Sequence, residues 1–320
     1  MSRLSHSSPA TPSPPPRPAV VCFGEALWDV LPRGLFLGGA PLNVAYHLSR
    51  QGVAAAIVTA VGRDFLGDEV RRRVAAWDLE WAGVGRSRRP TGVVRARLDA
   101  QGIATYQIIR HVAWDAIPWP GPRARRPAPA ALVFGTLALR ERPNRRILER
   151  LLAAWPNSLR VLDLNLRAPF DGPEVIAYAL RHAQIVKLND TELARLAGRE
   201  SLSVTALPPA ARRLAADHGL PHVCVTAGAR GAGLWWEGAW YWESGRTVKV
   251  RDTVGAGDAF LGALLGALLV RGTDPRAALA AACRVGEFVA ARDGATPAYT
   301  IDRQGRPHDD PPARRRTRFG

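Results

Sequence analysis

Six short apolar runs, AVVCFG, AAAIVTAVG, ALVFG, RVLDLN, AQIVKLN and HVCVTAG, recur along the chain, each bounded by glycine, asparagine or polar residues. They lack strict alternation of apolar and polar residues, so both faces of each strand are expected to be buried. Helical patterns intervene at Pro41–Gln51, Leu66–Ala76, Asn144–Ala154, Pro173–His182, Thr191–Ala197 and Pro208–His218. Alternation of this kind implies an α/β fold: a doubly wound, mostly parallel sheet with right-handed crossovers and helices on both faces.

One segment breaks that rhythm. TGVVRARLDAQGIATYQII, Thr91 to Ile109, is two alternating runs around Asp99–Gly102, which predicts a β-hairpin. A hairpin inserted here is either a small lid over a site or an antiparallel extension of the sheet edge. Residues 1–18 are rich in Pro and Ser, and residues 303–320 in Arg, Pro and Asp. Both read as disordered tails around one domain spanning 19–302.

Composition excludes several classes. The longest apolar stretch, Ala259–Val270, is too short for a membrane span, and the N-terminus has no apolar signal core, so a cytoplasmic protein with no membrane partner is expected. Cys22, Cys224 and Cys283 are far apart and without metal spacing, which predicts buried free thiols. The histidines are scattered and suggest no zinc. The formal charge of +16 comes almost entirely from arginine, because Lys187 and Lys249 are the only lysines. These arginines are dispersed, not gathered in a stripe with aromatics, so no nucleic-acid partner is expected. The excess charge also suits attraction of a polyanionic small molecule.

Chemistry is concentrated at two places. In RDTVGAGDAFLGALLGALLV, Gly255, Ala256 and Gly257 lead into an apolar helix that carries Asp258 in its first turn. Such a turn aims backbone N–H groups outward, and the helix dipole adds positive character. The chain has no G-x-x-x-x-G-K-[ST], which excludes a P-loop. A dinucleotide fingerprint also fails, since Phe260 stands at the third glycine position. Asp258 is then either a general base beside an anion hole or an ordinary helix-terminal acid. The second place is GEALWDVLP followed by LGGAPLNVAYHL. Gly38 and Gly39 admit close backbone approach, Pro41 starts a helix, Asn43 falls in its first turn, and Asp29 is expected in a loop at the strand's carboxyl side. Asp plus Asn beside a diglycine suits vicinal hydroxyls, and equally suits a tight turn with a cap.

Together, GGAPLNVAYHLSRQG and DTVGAGDAF resemble the two signatures of the ribokinase-like (PfkB-type) sugar kinase family, over residues 19–300, and GEALWD, GGAP and DLNLR resemble its fructokinase branch. The resemblance implies an ATP-dependent phosphotransferase acting on a sugar hydroxyl, fructose to fructose 6-phosphate first among candidates, with Mg²⁺ and a K⁺ site. It implies that Asp258 is the base and Gly255, Ala256 and Gly257 its anion hole. Asp29, Gly38, Gly39 and Asn43 would hold the sugar. Asn189 and Glu192 of KLNDTE would position Mg²⁺ and phosphates through water. Thr226 and Gly228 would meet the nucleotide, and Arg167 the transferred phosphate. Asp252 and the backbone of Val254, with loop 290–295, resemble the family's monovalent-cation site. The bland alternatives are turn, cap and surface roles for the same side chains. RHVAWDAIPW departs from simpler fructokinases, and Trp114 and Asp115 are expected to border the sugar pocket. Ribose, a sugar acid or a nucleoside are the alternative substrates of the same family. A non-catalytic sugar sensor and a basic nucleic-acid binder are the alternatives of other classes. An open lid edge would allow a homodimer.

Overall fold

The computed structural model describes residues 19–31, 34–79, 83–98, 104–121, 128–302 and 304–310. The chain opens with β1 (Val20–Phe23), then β2 (Leu27–Leu31) and β3 (Gly34–Gly38), followed by α1 (Ala40–Arg50) and β4 (Ala55–Val61). Next come α2 (Phe65–Ala76), β5 (Val84–Arg86), β6 (Gly92–Leu98) and β7 (Ala104–Ile108). The second half supplies β8 (Ala131–Gly135), α3 (Arg142–Ala154), β9 (Leu159–Asp163), α4 (Pro173–Arg181), β10 (Ile185–Asn189), α5 (Asp190–Leu196), α6 (Leu207–His218) and β11 (His222–Thr226). A hairpin of β12 (Gly231–Trp236) and β13 (Ala239–Ser244) precedes α7 (Ala256–Leu265), which runs on into a π-helical turn, Gly266–Val270. Then come α8 (Pro275–Ala290), β14 (Tyr299–Ile301) and β15 (Pro307–Asp309).

Nine strands form one sheet in the order β13-β12-β11-β10-β9-β8-β1-β4-β5. All pairings are parallel except β11–β12 and β12–β13. The expected doubly wound sheet is therefore present, with an antiparallel edge. Period-two alternation divides its core. Val21, Phe23, Val58 and Phe134 pack beneath α3 to α6, whereas Val20, Cys22, Ile57 and Val133 pack beneath α1, α2 and α7. All three cysteines are buried free thiols. No helix among the described residues is long and apolar enough to cross a membrane.

Helix ends follow local chemistry. Asp64 caps α2 by accepting from Gly67 N at 2.8 Å, Asp274 caps α8, and Gly219 ends α6 in the left-handed region. Strand order reverses at β1, which has β4 on one side and β8 on the other. The crevice at the carboxyl ends of such strands is where an open α/β sheet binds ligands.

The hairpin over 91–109 is β6 and β7, paired antiparallel, and it does not extend the main sheet. It joins β2 and β3 in a separate four-stranded sheet, β3-β2-β6-β7, in which β2 and β6 run parallel. The chain thus has a lid of its own. Two expectations are corrected. Asp29 lies within β2, paired opposite Phe36 of β3, and not in a loop, because the chain leaving β1 turns straight into the lid. Residues 304–310 are not a tail: β15 pairs with β14. Asp302 accepts from Gln304 N and Arg306 N, both at 2.8 Å, closing the turn, while Arg292 forks onto Asp309 and Arg50 onto Asp310. Two acids of the segment that reads as disorder are taken up by ion pairs, to Arg292 just after α8 and to Arg50 of α1. The expected N-terminal tail, residues 1–18, and residues 303 and 311–320 of the expected C-terminal tail lie outside the described residues.

His47, fully buried on α1, bonds Tyr299 Oη through Nδ1 and the Ala295 carbonyl through Nε2, both at 2.9 Å. Burial pushes its pKa down to about 4; the Ala295 bond works against this and the Arg50 charge with it. The unfolded chain, with an ordinary pKa of about 6.5, binds the proton first as pH falls, so this stabilisation is present above that value and is lost toward pH 4. The stability advantage of the wild type over His47→Gln should shrink by about 3 kcal/mol between pH 7 and about pH 4 in urea titrations. A constant difference would refute neutral burial of His47.

Candidate active site

The carboxyl end of the sheet gathers nearly every residue that the sequence singles out. Gly255, at φ 78°, turns the chain into α7, and its α-carbon rests against Ala295, so a side chain fits neither the space nor the dihedral. No side chain caps α7. The first-turn N–H groups of any α-helix lack intrahelical acceptors; Ala256 N makes a long bond to the Thr253 carbonyl at 3.3 Å, and the turn of Gly255, Ala256 and Gly257 suits an anion.

Asp258 stands in that turn, 9% exposed. Asn43 Nδ2 donates to its Oδ2 at 2.8 Å, joining α1 to α7 across the interior. Burial raises the Asp258 pKa to about 6, Asp163 adds repulsion, and Lys187, Asn43 and Arg167 pull it back. The residue therefore sits near the range in which a carboxylate is both a stronger base and still ionised at neutral pH. Gly39, at φ 110°, lets the start of α1 approach the Glu25 carbonyl. Gly38 sits against Asp29, where an added Cβ would come 2.7 Å from Oδ2. Burial raises Asp29 to about 6, against the attraction of Arg167 and with repulsion from Asp252. The exposed Arg167 thus acts electrostatically on Asp29 and Asp258 together, from the loop after β9.

Two residues at this site escape the sequence reading. Lys187 lies in an otherwise apolar strand, and its Nζ donates to Asp163 Oδ1 at 3.0 Å and Oδ2 at 3.2 Å. A Cβ on Gly257 would fall 2.9 Å from that Nζ, so the ammonium lies directly beneath the helix turn. Burial alone would lower its pKa, but Asp163, Asp258 and Glu192 around it raise it, and Lys187 stays charged. Glu25, 3% exposed, follows β1; its Oε2 has no hydrogen-bond partner. Burial lifts its pKa to about 7, opposed by backbone hydrogen bonds from its own and the Ala40 amides and by Arg167, and reinforced by Asp258. The available signals were a charged residue inside, or just after, a fully apolar run.

The remaining residues fall along the same rim in more structural roles. Asn189 and Glu192 form a reciprocal capping box on α5: Glu192 N donates to Asn189 Oδ1 at 2.7 Å and Asn189 N to Glu192 Oε2 at 2.8 Å. Glu192 Oε1 accepts from Leu166 N at 2.7 Å, so this acid also fixes the Arg167 loop. Thr226 lies in register beside Asn189, and Gly228 follows in the left-handed region. Asp252 accepts from Val254 N at 3.0 Å and Gly294 N at 3.3 Å, stapling its loop to residues 290–295. Trp114 is buried against Gly92 beneath the lid, and Asp115 is paired with Arg140, so both bear on how the lid is anchored.

The sequence pattern of the pfkB family carbohydrate kinases matches residues 32–301. The chain belongs to this family. A fructokinase of Rhizobium leguminosarum bv. trifolii is 30% identical over 273 residues, covering 78% of this chain and 79% of its own. A double mutant of Vibrio cholerae O395 fructokinase, in its fructose-, ADP- and potassium-bound form, superposes with a TM-score of 0.74 at 24% identity, over 88% of this chain and 94% of that one. Aminoimidazole riboside kinase of Salmonella enterica, complexed with aminoimidazole riboside and an ATP analogue, gives 0.72 at 25% identity, over 87% and 95%. The kinase described here is a phosphotransferase with an alcohol group as acceptor. Lys187→Met leaves Asp163 buried without its cation and should destabilise the kinase by about 3–5 kcal/mol in chemical denaturation; a change below about 1 kcal/mol would show that the pair is not needed to hold the fold.

Proposed function

We propose that this kinase transfers the γ-phosphoryl group of ATP to the 6-hydroxyl of fructose. The observation that carries the proposal is the buried Asp258 carboxylate, held by Asn43 at the start of an uncapped helix that is itself backed by Lys187. A hydroxymethyl group seated against Asp258 gives up its proton as its oxygen attacks phosphorus in line. The N–H groups of Gly255, Ala256 and Gly257 take the charge that develops on the phosphoryl oxygens. Asp29 in the lid, with Gly38 and Gly39, receives the sugar hydroxyls, and closing the lid excludes water that would otherwise be phosphorylated. Asn43 has a buried Oδ1 without a partner, suited to accept from a sugar hydroxyl while Nδ2 holds the base. Arg167 approaches the transferred group from the open side. Fructose is preferred over ribose, a sugar acid or a nucleoside because the curated relatives at 30% identity are fructokinases.

Among the described residues no cluster of three or more His, Cys, Asp or Glu side chains could hold a metal. A divalent ion would therefore lean on the nucleotide's phosphates and on water, with Asn189 and Glu192 nearby, consistent with both Glu192 oxygens being taken by backbone amides. Mg²⁺ bound there would neutralise phosphate charge. K⁺ would sit with Asp252, the Val254 backbone and loop 290–295, whose carbonyl groups suit a monovalent cation. The lid's outer strands, β3 and β7, would be the pairing edges of a homodimer.

ADP release from Mg·ATP with K⁺ present, measured across fructose, ribose, glucose, 2-keto-3-deoxygluconate and adenosine, tests the substrate. Turnover on fructose alone supports the reading; a preference for another acceptor replaces the substrate and keeps the base. Asp258→Asn should lower kcat by about a thousandfold or more with nucleotide affinity within about threefold, and wild-type turnover by that variant would remove Asp258 as the base. With a base near pKa 6, kcat/KM should fall about tenfold per pH unit below about pH 6. Asn43→Ala removes a bond that favours the ionised form, so its acid limb should move to higher pH; an unmoved limb would argue against this contact in solution.

A further inference from the structure

Arg140 ends the single 3-10 turn, Leu137–Arg140, that follows β8. Its side chain is only 3% exposed, and that of its partner Asp115 1%. Nε donates to Asp115 Oδ1 at 2.9 Å and Nη2 to Oδ2 at 3.0 Å, a two-pronged charge-assisted pair. Nη2 also donates to the Ile109 carbonyl at 2.9 Å. The rings of Trp114 and Phe170 cover the guanidinium, with centroids 4.2 Å and 4.3 Å from Cζ.

Its partners come from two parts of the chain, the stretch that leaves the lid and the loop that carries Arg167. Ile109 is the residue immediately after β7, where the chain leaves the lid. Trp114 lies so close to Gly92, the first residue of β6, that no side chain could stand there; that is where the chain re-enters the lid. Asp115 Oδ2 accepts from Val112 N at 3.1 Å, fixing the segment between them. Phe170 N donates to the Arg167 carbonyl at 2.8 Å, so the ring on the far side of the sandwich is part of the Arg167 turn. Thr136 Oγ1, at the start of the Arg140 turn, donates to the Leu164 carbonyl at 2.7 Å and fastens the same loop at its other end.

A buried ion pair of this kind is not needed for packing, since apolar residues of similar volume stabilise as well or better. What apolar residues cannot do is bind a backbone carbonyl at the lid's exit and stack on the Arg167 loop with one rigid planar group. We propose that Arg140 is a positioning residue that couples the lid to the Arg167 loop, so that closing the lid over the sugar seats the loop against the phosphoryl group. The proposal rests on the sugar-kinase reading for its kinetic consequence, but not for the coupling itself.

The test is a double variant of the full chain, Arg140→Met with Asp115→Asn, which removes both buried charges together and keeps an acceptor for Val112 N. Hydrogen–deuterium exchange without ligands should quicken about tenfold in β6, in β7 and in residues 164–170 together, with β10 and β11 unchanged. In the fructose assay, KM for the sugar should rise about tenfold, kcat should fall by a similar factor because the Arg167 loop is no longer seated against the phosphoryl group, and sugar-independent ATP hydrolysis should increase. Faster exchange confined to β6 and β7, with residues 164–170 as protected as in wild type, overturns the coupling. So does an unchanged sugar KM in the folded variant. Exchange that quickens as expected in a protein whose wild type turns over no sugar in the panel keeps the coupling and sinks the substrate reading. If the double variant does not fold, Phe170→Leu keeps the ion pair and removes only the face that stacks on the Arg167 loop; it should loosen residues 164–170, and unchanged exchange there overturns the proposal.

Discussion

A carboxylate that must remain charged where water is scarce is the constraint around which this kinase is arranged. The hydrogen bond from Asn43 to Asp258 answers part of it, by stabilising the ionised form directly. It also fixes where two helices meet, one from each end of the chain. The rest of the answer is Lys187, a cation placed under the α7 turn and shared among three acids. Burial alone would discharge either partner; assembled, they stay ionised and the helix dipole adds to the positive side of the balance.

Charge is graded from the floor of the site to its mouth. Lys187 is buried and bound, so it fixes the field in place. Arg167 is exposed and acts on Glu25, Asp29 and Asp258 through space. Arg140 is buried again, but between aromatic rings at the foot of the lid. Lysine could not replace the last of these, because only a flat, forked cation bonds a carboxylate and a carbonyl while stacking on rings. The abundance of arginine in the sequence therefore hides a small number of positions where the guanidinium geometry matters.

What could be read in advance follows from how local each signal is. The six parallel strands were legible because both of their faces are apolar, which makes a run of valines and leucines conspicuous. The Trp-rich β12–β13 pair was not, since its edge position leaves its tryptophans and Glu243 half-buried in an irregular pattern. Asp258 and Asn43 were legible as motif residues, but their bond spans 215 positions and no local pattern encodes it. Glu25 and Lys187 were passed over because a single charge in an apolar run has no periodicity to announce it. Composition misled at the C-terminus, where Asp309 and Asp310 pair with Arg292 and Arg50 instead of remaining solvated.

The hairpin of β14 and β15 has a consequence for the order in which the molecule comes into being. It is fastened to Arg50 at one end of α1, while His47 of the same helix grips Ala295 and Tyr299. A helix made among the first residues of synthesis therefore acquires its final partners only from the last ones. The parallel core from β1 to β11 can assemble as it emerges from the ribosome, since its strands and crossovers follow one another in sequence. Gly255, in the turn ahead of Asp258, rests against Ala295 of that same late segment, so this turn too meets its final packing only from residues made last.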